Sequence, residues 1–504
     1  MKRYINLLAF TFSILSAISC SDSKENPIEE LFSISKNALS FDASAGKQTF
    51  IITSNTQWQI TAENNTWCSI SNKTGSGTAK ITVEVTKNTK DVARTLKLTC
   101  TTSNQIESVD ITQEAAIVAY FPLLTIKTEN NAPITSKENY VNADISIESR
   151  DEKGIIAEKL HEGKTEIRGR GNSTWDMEKK PYRLKLDKSS EILGMPKNKH
   201  WVLLANYSDK TLMRNELAFE ISRRMKFAYT PRMKYVDVNL NGTYIGNYML
   251  CEHIRIDKDR VNIAEMKASN TNLSGGYLLE IDERKGEPVW FETKQAKIIF
   301  CVNRPEDIPN TQKEYISNHI QKTEDILYDK NGVDVVKELP NYIDLKSFID
   351  YFLLNELSKN VDGNLRLSTF VYKEKDNDKL YFGPVWDYDI AFGNVNYDGC
   401  ENPNGWHSRN SKWYQPFFSH PEFSKMVTDR WKELRNKELY DLDSFIDLLA
   451  EEMENSQKAN FSKWNILGKA VWPNPVITGS YQGEIDYLKN WLNQRISWMD
   501  QQLK

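Results

Sequence analysis

Asp362, Asp387 and Asp389 are the residues whose type and spacing most invite chemistry. They lie in YFLLNELSKNVDGNLRLSTFVYKEKDNDKLYFGPVWDYDIAFGN, which runs from Tyr351 to Asn394. The pattern predicts an apolar helix, a loop bearing Asp362, two short strands joined by the polar turn KDND, and then the acidic pair. One carboxylate can orient an attacking hydroxyl while the other, 25 residues further on, holds a metal against phosphates. That is the requirement of phosphoryl transfer to a hydroxyl. The plainer reading makes Asp362 a turn residue after a helix and has Asp389 bonding backbone amides. A Trp-Asp pair directly after Gly383-Pro384 has little structural necessity, which favours a functional Asp387.

Such chemistry also needs cations. In RGRGNSTW, Gly169 and Gly171 alternate with Arg168 and Arg170. A glycine-rich turn can bring backbone N–H groups to phosphates, and arginines bind phosphate oxygens bidentately. A tight turn with solvated arginines would give the same letters. In PYRLKLDK, Tyr182, Leu184 and Leu186 share one face of a strand, and Arg183 and Lys185 the other. Two cations on one strand face are a phosphate-binding pair or a solvated edge.

The positioning elements follow from period and punctuation. Residues 195–225 predict a short strand and a helix, with Ser208 or Asp209 as N-cap. YVDVNLNGTYIGNYMLCEHI predicts a hairpin about Asn241-Gly242, the strongest short hairpin signal, with Glu252-His253 ending its second strand. GGYLLEIDE predicts a further strand carrying Glu280 and Asp282, and residues 303–345 a helical connection. In YIDLKSFIDYFLLNELSKN, Leu345, Phe348, Ile349, Phe352 and Leu357 fall at helical spacing and predict a core helix. The C-terminal YLKNWLNQRISWMDQQL predicts an amphipathic helix, and GCENPNGWHSRNSKWYQPFF an aromatic loop able to wall a cleft.

The chain's 504 residues exceed one ordinary core, so several domains are expected. With 39% hydrophobic and 27% charged residues it is globular, and a net charge of −4 gives no reason to expect a nucleic-acid partner. Six histidines without HxH or HExxH spacing, and no GxSxG, argue against a histidine metal site and a serine hydrolase.

Residues 1–20 read as a leader: Lys2 and Arg3, an apolar run from Ile5 to Ile18, then Ser19-Cys20. The end resembles a bacterial lipoprotein cleavage box, which implies that Cys20 is lipidated and anchors the chain to a membrane in the cell envelope. A polar tether at 21–30 follows. The remaining cysteines, Cys68, Cys100, Cys251, Cys301 and Cys400, are odd in number and lack CxxC spacing. Cys68 and Cys100 share one small β-region as a disulfide or as two buried thiols.

Residues 31–115 alternate in short runs (TFIITSN, WQITA, AKITVEVT, RTLKLTC, SVDITQ), the pattern of an all-β sandwich. SNTQWQI, NTWCSISNKTGSGTAKITVEV and DITQEA resemble the BACON domain, an immunoglobulin-like module of Bacteroidetes surface proteins. The resemblance implies a spacer or a carbohydrate-binding role. Trp58 and Trp67 are sugar platforms or, more in keeping with a small sandwich, core.

Across residues 117–504, RGRGNSTW, KKPYRLKLDK, LLANYSDKTLMRN, NGTYIGNYMLCEHI, GGYLLEID, NELSKNVD and GPVWDYDIAFGN occur in the order of the spore-coat protein H (CotH) kinase family, which the chain resembles. The resemblance implies a multidomain protein whose sandwich precedes an α+β atypical protein-kinase-like domain. It further implies ATP with Mg2+ or Mn2+ as cofactors and phosphorylation of serine or threonine on a protein substrate. Asp362 would be the base, Asp387 a metal ligand, Lys185 a phosphate contact, and Glu252 part of a linker bordering the adenine. Many members carry an asparagine shortly after the catalytic aspartate as second metal ligand. Here Ser368 holds that place, so Asn364, the nearest asparagine, or Asp389 would complete the metal set. Because ATP is scarce outside the cytoplasm, the rival expectation is an inactive kinase-like surface protein that binds a glycan or a protein.

Overall fold

The computed structural model describes residues 29–43, 45–63, 65–88, 92–115, 120–330 and 332–504. The expected leader, the lipidation at Cys20 and nearly all of the tether lie outside the described residues. The chain divides into two compact units, Met1–Ile117 and Val118–Lys504.

In the first unit, alternation sorts each strand into a buried and an exposed face. In Ala79–Val85, Ile81, Val83 and Val85 are buried while Lys80, Thr82 and Glu84 point outward. One sheet runs in the order Phe32–Ile34, Gly46–Ser54, Ala79–Val85, Cys68–Ile70. The other runs Ala38–Phe41, Ile106–Gln113, Arg94–Thr101, Gln57–Ala62, Thr74–Ser76. Their inner faces share one core, as a β-sandwich requires. Trp58 belongs to that core: its indole N–H donates to the Gly77 carbonyl at 3.0 Å, and its ring fills the space a Cβ on Gly75 would need. Trp67 is half-buried beneath the Arg94 guanidinium, 4.5 Å away. Cys68 and Cys100 stand on different sheets as free thiols.

The second unit opens with a closed seven-stranded barrel. Its order is Leu123–Thr128, Val141–Arg150, Ile156–Gly169, Tyr182–Ile192, Met195–Leu204, Thr243–Glu252, Met233–Leu240, and the first and last strands pair in parallel to close it. Tyr182, Leu184 and Leu186 point into the barrel core with Ile145, Ile167, Val238 and Leu250. Asn241 and Gly242 take φ of 50° and 80°, the left-handed pair that a tight hairpin demands.

Beyond the barrel lies a five-stranded sheet in the order Trp290–Glu292, Ile299–Arg304, Tyr277–Ile281, Thr369–Lys373, Leu380–Phe382. Among the helices sharing its core are Arg214–Arg224, Asn310–Leu327, Leu345–Ser358, Pro421–Lys437, Leu442–Glu452 and Tyr481–Gln502. Leu345–Ser358 is buried nearly all round, capped by Asp344, whose carboxylate accepts from the Ser347 N–H at 2.8 Å. The helix expected after Ser208 or Asp209 begins later, at Arg214. Asp209 still serves it from outside, accepting from the Arg214 N–H at 2.8 Å and from its guanidinium at 2.6 Å. Among the described residues no helix is long and apolar enough to cross a membrane.

Candidate functional site

The core helix Leu345–Ser358 stops because Lys359 turns left-handed, at φ 43°. The Lys359 ammonium is drawn inward and binds the carbonyls of Gly399, Asn402 and Asn404 at 3.0, 2.8 and 2.9 Å, fixing the following loop beside the helix end. Asn360 then ties two acid-bearing loops together. Its side-chain oxygen accepts from the Asp362 N–H at 3.1 Å, and its NH2 donates to the Asp387 carbonyl at 3.0 Å. The hairpin formed by Thr369–Lys373 and Leu380–Phe382 returns the chain, so Asp387 comes back to the loop that bears Asp362. The Ser368 hydroxyl donates to Asp387 Oδ2 at 3.1 Å. Both residues are left-handed, with φ of 50° and 67°. Such strain costs on the order of 1–3 kcal/mol per residue and is held where the surroundings over-determine it. Asn215 supplies part of that hold, accepting from the Tyr388 N–H at 2.7 Å while donating to Asn206 at 3.1 Å.

Asp362, Asp387 and Asp389 line one cleft of about 420 Å³. Glu280, from the strand Tyr277–Ile281, lines it too. Crowding and burial oppose their ionisation. Burial, then the charge of Asp387, pushes Asp362 up to about 6, against the pull of Arg284 and Arg366. Burial, then Asp282 and Glu287, pushes Glu280 up to about 8. Burial, then Asp387, holds Asp389 well above the usual carboxylate range.

Arg168, Arg170, Lys179 and Arg183 line the same cleft. Arg170 lies 5.6 Å over the Trp386 ring, and burial lowers its pKa against the pull of Asp387. Lys179 is buried, donates to Asn460 Oδ1 at 2.9 Å and to the Asn247 carbonyl, and is pushed by burial down to about 7. The Nε atoms of Arg168 and Arg183 and Nδ1 of His253 are buried without a hydrogen-bond partner. The two unmatched arginine donors suit an anionic ligand.

The cleft therefore brings together Asp362, Asp387, Asp389, Arg168, Arg170 and Arg183. Three other expected site residues lie elsewhere. Lys185 pairs with Glu166 at 2.7 Å across neighbouring strands and lines a separate cavity of about 600 Å³. Glu252 is fully buried as an internal acceptor, taking bonds from Tyr229 at 3.0 Å and Arg232 at 3.1 Å, with Arg260 at 3.7 Å. Asn364 does not line the cleft; its side-chain oxygen accepts from the Ser411 hydroxyl at 3.0 Å. Conversely, Glu280, Lys179 and the bridging Asn360 gave little warning. The one available signal is Glu280 itself, a lone carboxylate inside the apolar run YLLEI.

Residues 167–499 match the family model described as CotH kinase protein, and residues 31–116 match the one described as viral BACON domain. No curated protein matches the chain. Among solved structures, the Bacteroides ovatus GH5 xyloglucanase in complex with a XXXG heptasaccharide is similar at 20% identity and a TM-score of 0.17. That likeness covers 21% of this chain and 22% of that one. A Bacteroides thetaiotaomicron protein solved by NMR is similar at 15% identity, over 19% of this chain and 98% of that one, with a TM-score of 0.14. Likenesses this slight carry no argument about fold or function.

Proposed function

The chain belongs to the CotH kinase protein family, and we propose that its second unit is an atypical kinase transferring the γ-phosphoryl group of ATP to serine or threonine hydroxyls of a protein substrate. The observation that carries the reading is one cleft in which crowded carboxylates face arginines with unmatched buried donors. Neither set is at rest alone: the acids repel one another, and the Nε donors of Arg168 and Arg183 lack acceptors. A polyphosphate with a divalent cation complements both.

In this reading Asp362 is the base. At neutral pH a carboxyl with its pKa near 6 is ionised yet basic enough to accept the proton of the acceptor hydroxyl. Arg366, 3.5 Å from Asp362 Oδ1, steadies that carboxylate. Arg168, Arg170 and Arg183 bind phosphate oxygens. Asp387 and Asp389 would hold Mg2+ or Mn2+, with the Ser368 hydroxyl fixing the Asp387 carboxylate. Among the described residues no three His, Cys, Asp or Glu side chains form a ready metal cage. Mg2+ commonly takes only one or two carboxylates and completes its shell with phosphate oxygens and water. When bound, ATP supplies the phosphoryl group and the metal neutralises charge on its oxygens. A lipid on Cys20 would hold this activity at the cell envelope, and the sandwich would act as spacer or carbohydrate-binding module.

The test is incubation of the protein with labelled ATP, Mg2+ or Mn2+, and a general acceptor such as casein. Label on chain or acceptor that disappears in Asp387→Ala is the expected result. Failure to bind nucleotide together with failure to label would end the kinase reading and leave a binding protein.

A further inference from the structure

The rim of the cleft holds an aromatic feature that phosphoryl transfer does not use. Trp472 is 56% exposed, the most exposed tryptophan among the described residues. Its ring stacks on that of Tyr397, with centroids 6.2 Å apart and planes at 9°. Both residues line the same cleft as Asp362. The Trp472 segment is pinned. Asn474 donates to the Ser208 carbonyl at 2.7 Å and to Asn394 at 2.8 Å, and Lys210 donates to the Lys469 carbonyl at 2.8 Å. An indole fixed in water forgoes about 25 cal/mol for each Å² it could bury.

We propose that the Tyr397–Trp472 stack is the acceptor-side subsite, taking a flat side chain, aromatic or proline, that flanks the hydroxyl presented to Asp362. This rests on the protein-phosphorylating reading above. The platform lies at the base end of the cleft: the charges acting on Tyr397 are those of Asp362, Arg366 and Asp398. Those acting on His253 are Arg183, Arg170 and Arg255, which marks a different, cationic end suited to phosphates. Arg366 is also engaged with Glu283 at 3.2 Å and Asp398 at 3.9 Å. The rim's charges therefore largely satisfy one another, and the aromatic face is left as the recognition element. A polypeptide that delivers its hydroxyl to Asp362 continues onto this face, and stacking gives roughly three- to tenfold in affinity.

The experiment uses the full chain with fluorescein-labelled serine peptides that differ only in carrying Phe, Pro or Ala beside the serine. By anisotropy, the wild type should bind the Phe and Pro peptides about three- to tenfold more tightly than the Ala peptide. Trp472→Ala should abolish that preference and Trp472→Phe should keep it. ATP affinity, measured in parallel, should be unchanged in both variants. The proposal is overturned if the wild type shows no preference, or if Trp472→Ala retains it. It is equally overturned if that variant loses ATP or oligosaccharide binding instead of peptide preference. Labelled ATP separates the two readings. Peptide preference without phosphotransfer defeats the kinase activity and keeps the subsite, whereas phosphotransfer without preference defeats the subsite alone.

Discussion

At the residue scale, Asp362 carries two opposed demands: it must be charged to take a proton, yet burial and Asp387 resist its charging. Phosphotransfer should therefore rise with pH through about 6 as the carboxyl ionises, which a pH–rate profile of labelling would show. Asp362→Asn should lower the rate by about 10²–10⁴-fold and flatten that limb, while nucleotide affinity, read by calorimetry, holds. Glu280 makes the matching stability argument. Its folded pKa is raised to about 8, so its stabilising contribution is full below the ordinary value and is lost as pH rises through 8. Glu280→Gln should thus stabilise the metal-free protein by about 1–2 kcal/mol at pH 8.5. That gain should fade toward pH 4.5, the ordinary glutamate value, in thermal melts run with chelator. The aspartates are legible in the sequence because a Gly-Pro strand end and a buried helix leave them no structural task. Lys185 misleads because period two gives Arg183 and Lys185 the same face, while the cleft reaches only the strand's beginning. Two residues further, about 6.6 Å along a strand, Lys185 already lies over Glu166. Asn364 misleads because left-handed Leu365 and Ser368 reverse the chain, presenting Ser368 to Asp387.

At the element scale, the buried helix, the hairpin and the C-terminal helix are read directly from pattern, but what joins them is not. Glu356 near the end of Leu345–Ser358 and Arg495 on Tyr481–Gln502 form a fully buried pair at 2.8 Å. Glu356 also accepts from the N–H groups of His407 and Ser408 at 2.6 and 2.8 Å. Arg495 reaches the carbonyls of Pro403 and Gly405 at 2.9 and 2.8 Å. One ion pair thus fixes the last helix, the aromatic loop and the helix that leads to Asp362. Nothing in local sequence marks it, since its partners stand 139 residues apart. Breaking a buried pair leaves an uncompensated charge, so Arg495→Ala should cost about 3–5 kcal/mol. Glu356→Gln, which keeps one hydrogen-bond acceptor, should cost less. Denaturant melts followed by near-ultraviolet circular dichroism, which reports the loop's tryptophans, would rank the two.

At the scale of the whole molecule, the two units carry separate cores, but the family match and the folded unit have different edges. The match begins at residue 167, whereas the barrel that holds Arg183 and Arg170 begins at Leu123. Barrel closure is invisible to period and propensity, because its seam pairs Leu123–Thr128 in parallel with Met233–Leu240, more than a hundred residues later. A chain cut to residues 167–499 would lose Leu123–Thr128, Val141–Arg150 and most of Ile156–Gly169. It would leave Tyr182–Ile192 and Met233–Leu240 with open edges and expose Leu184, Leu186, Val236 and Val238, all buried in the intact barrel core. Open edges beside exposed apolar side chains promote aggregation. Residues 118–504 should accordingly express as a soluble, cooperatively melting protein that keeps whatever phosphotransfer the full chain shows. Residues 167–499 should be insoluble or melt without a transition, because the arginines that face Asp362 and Asp387 are positioned only by a barrel those three strands complete. Soluble, active 167–499 would show instead that the helical half alone sets the cleft.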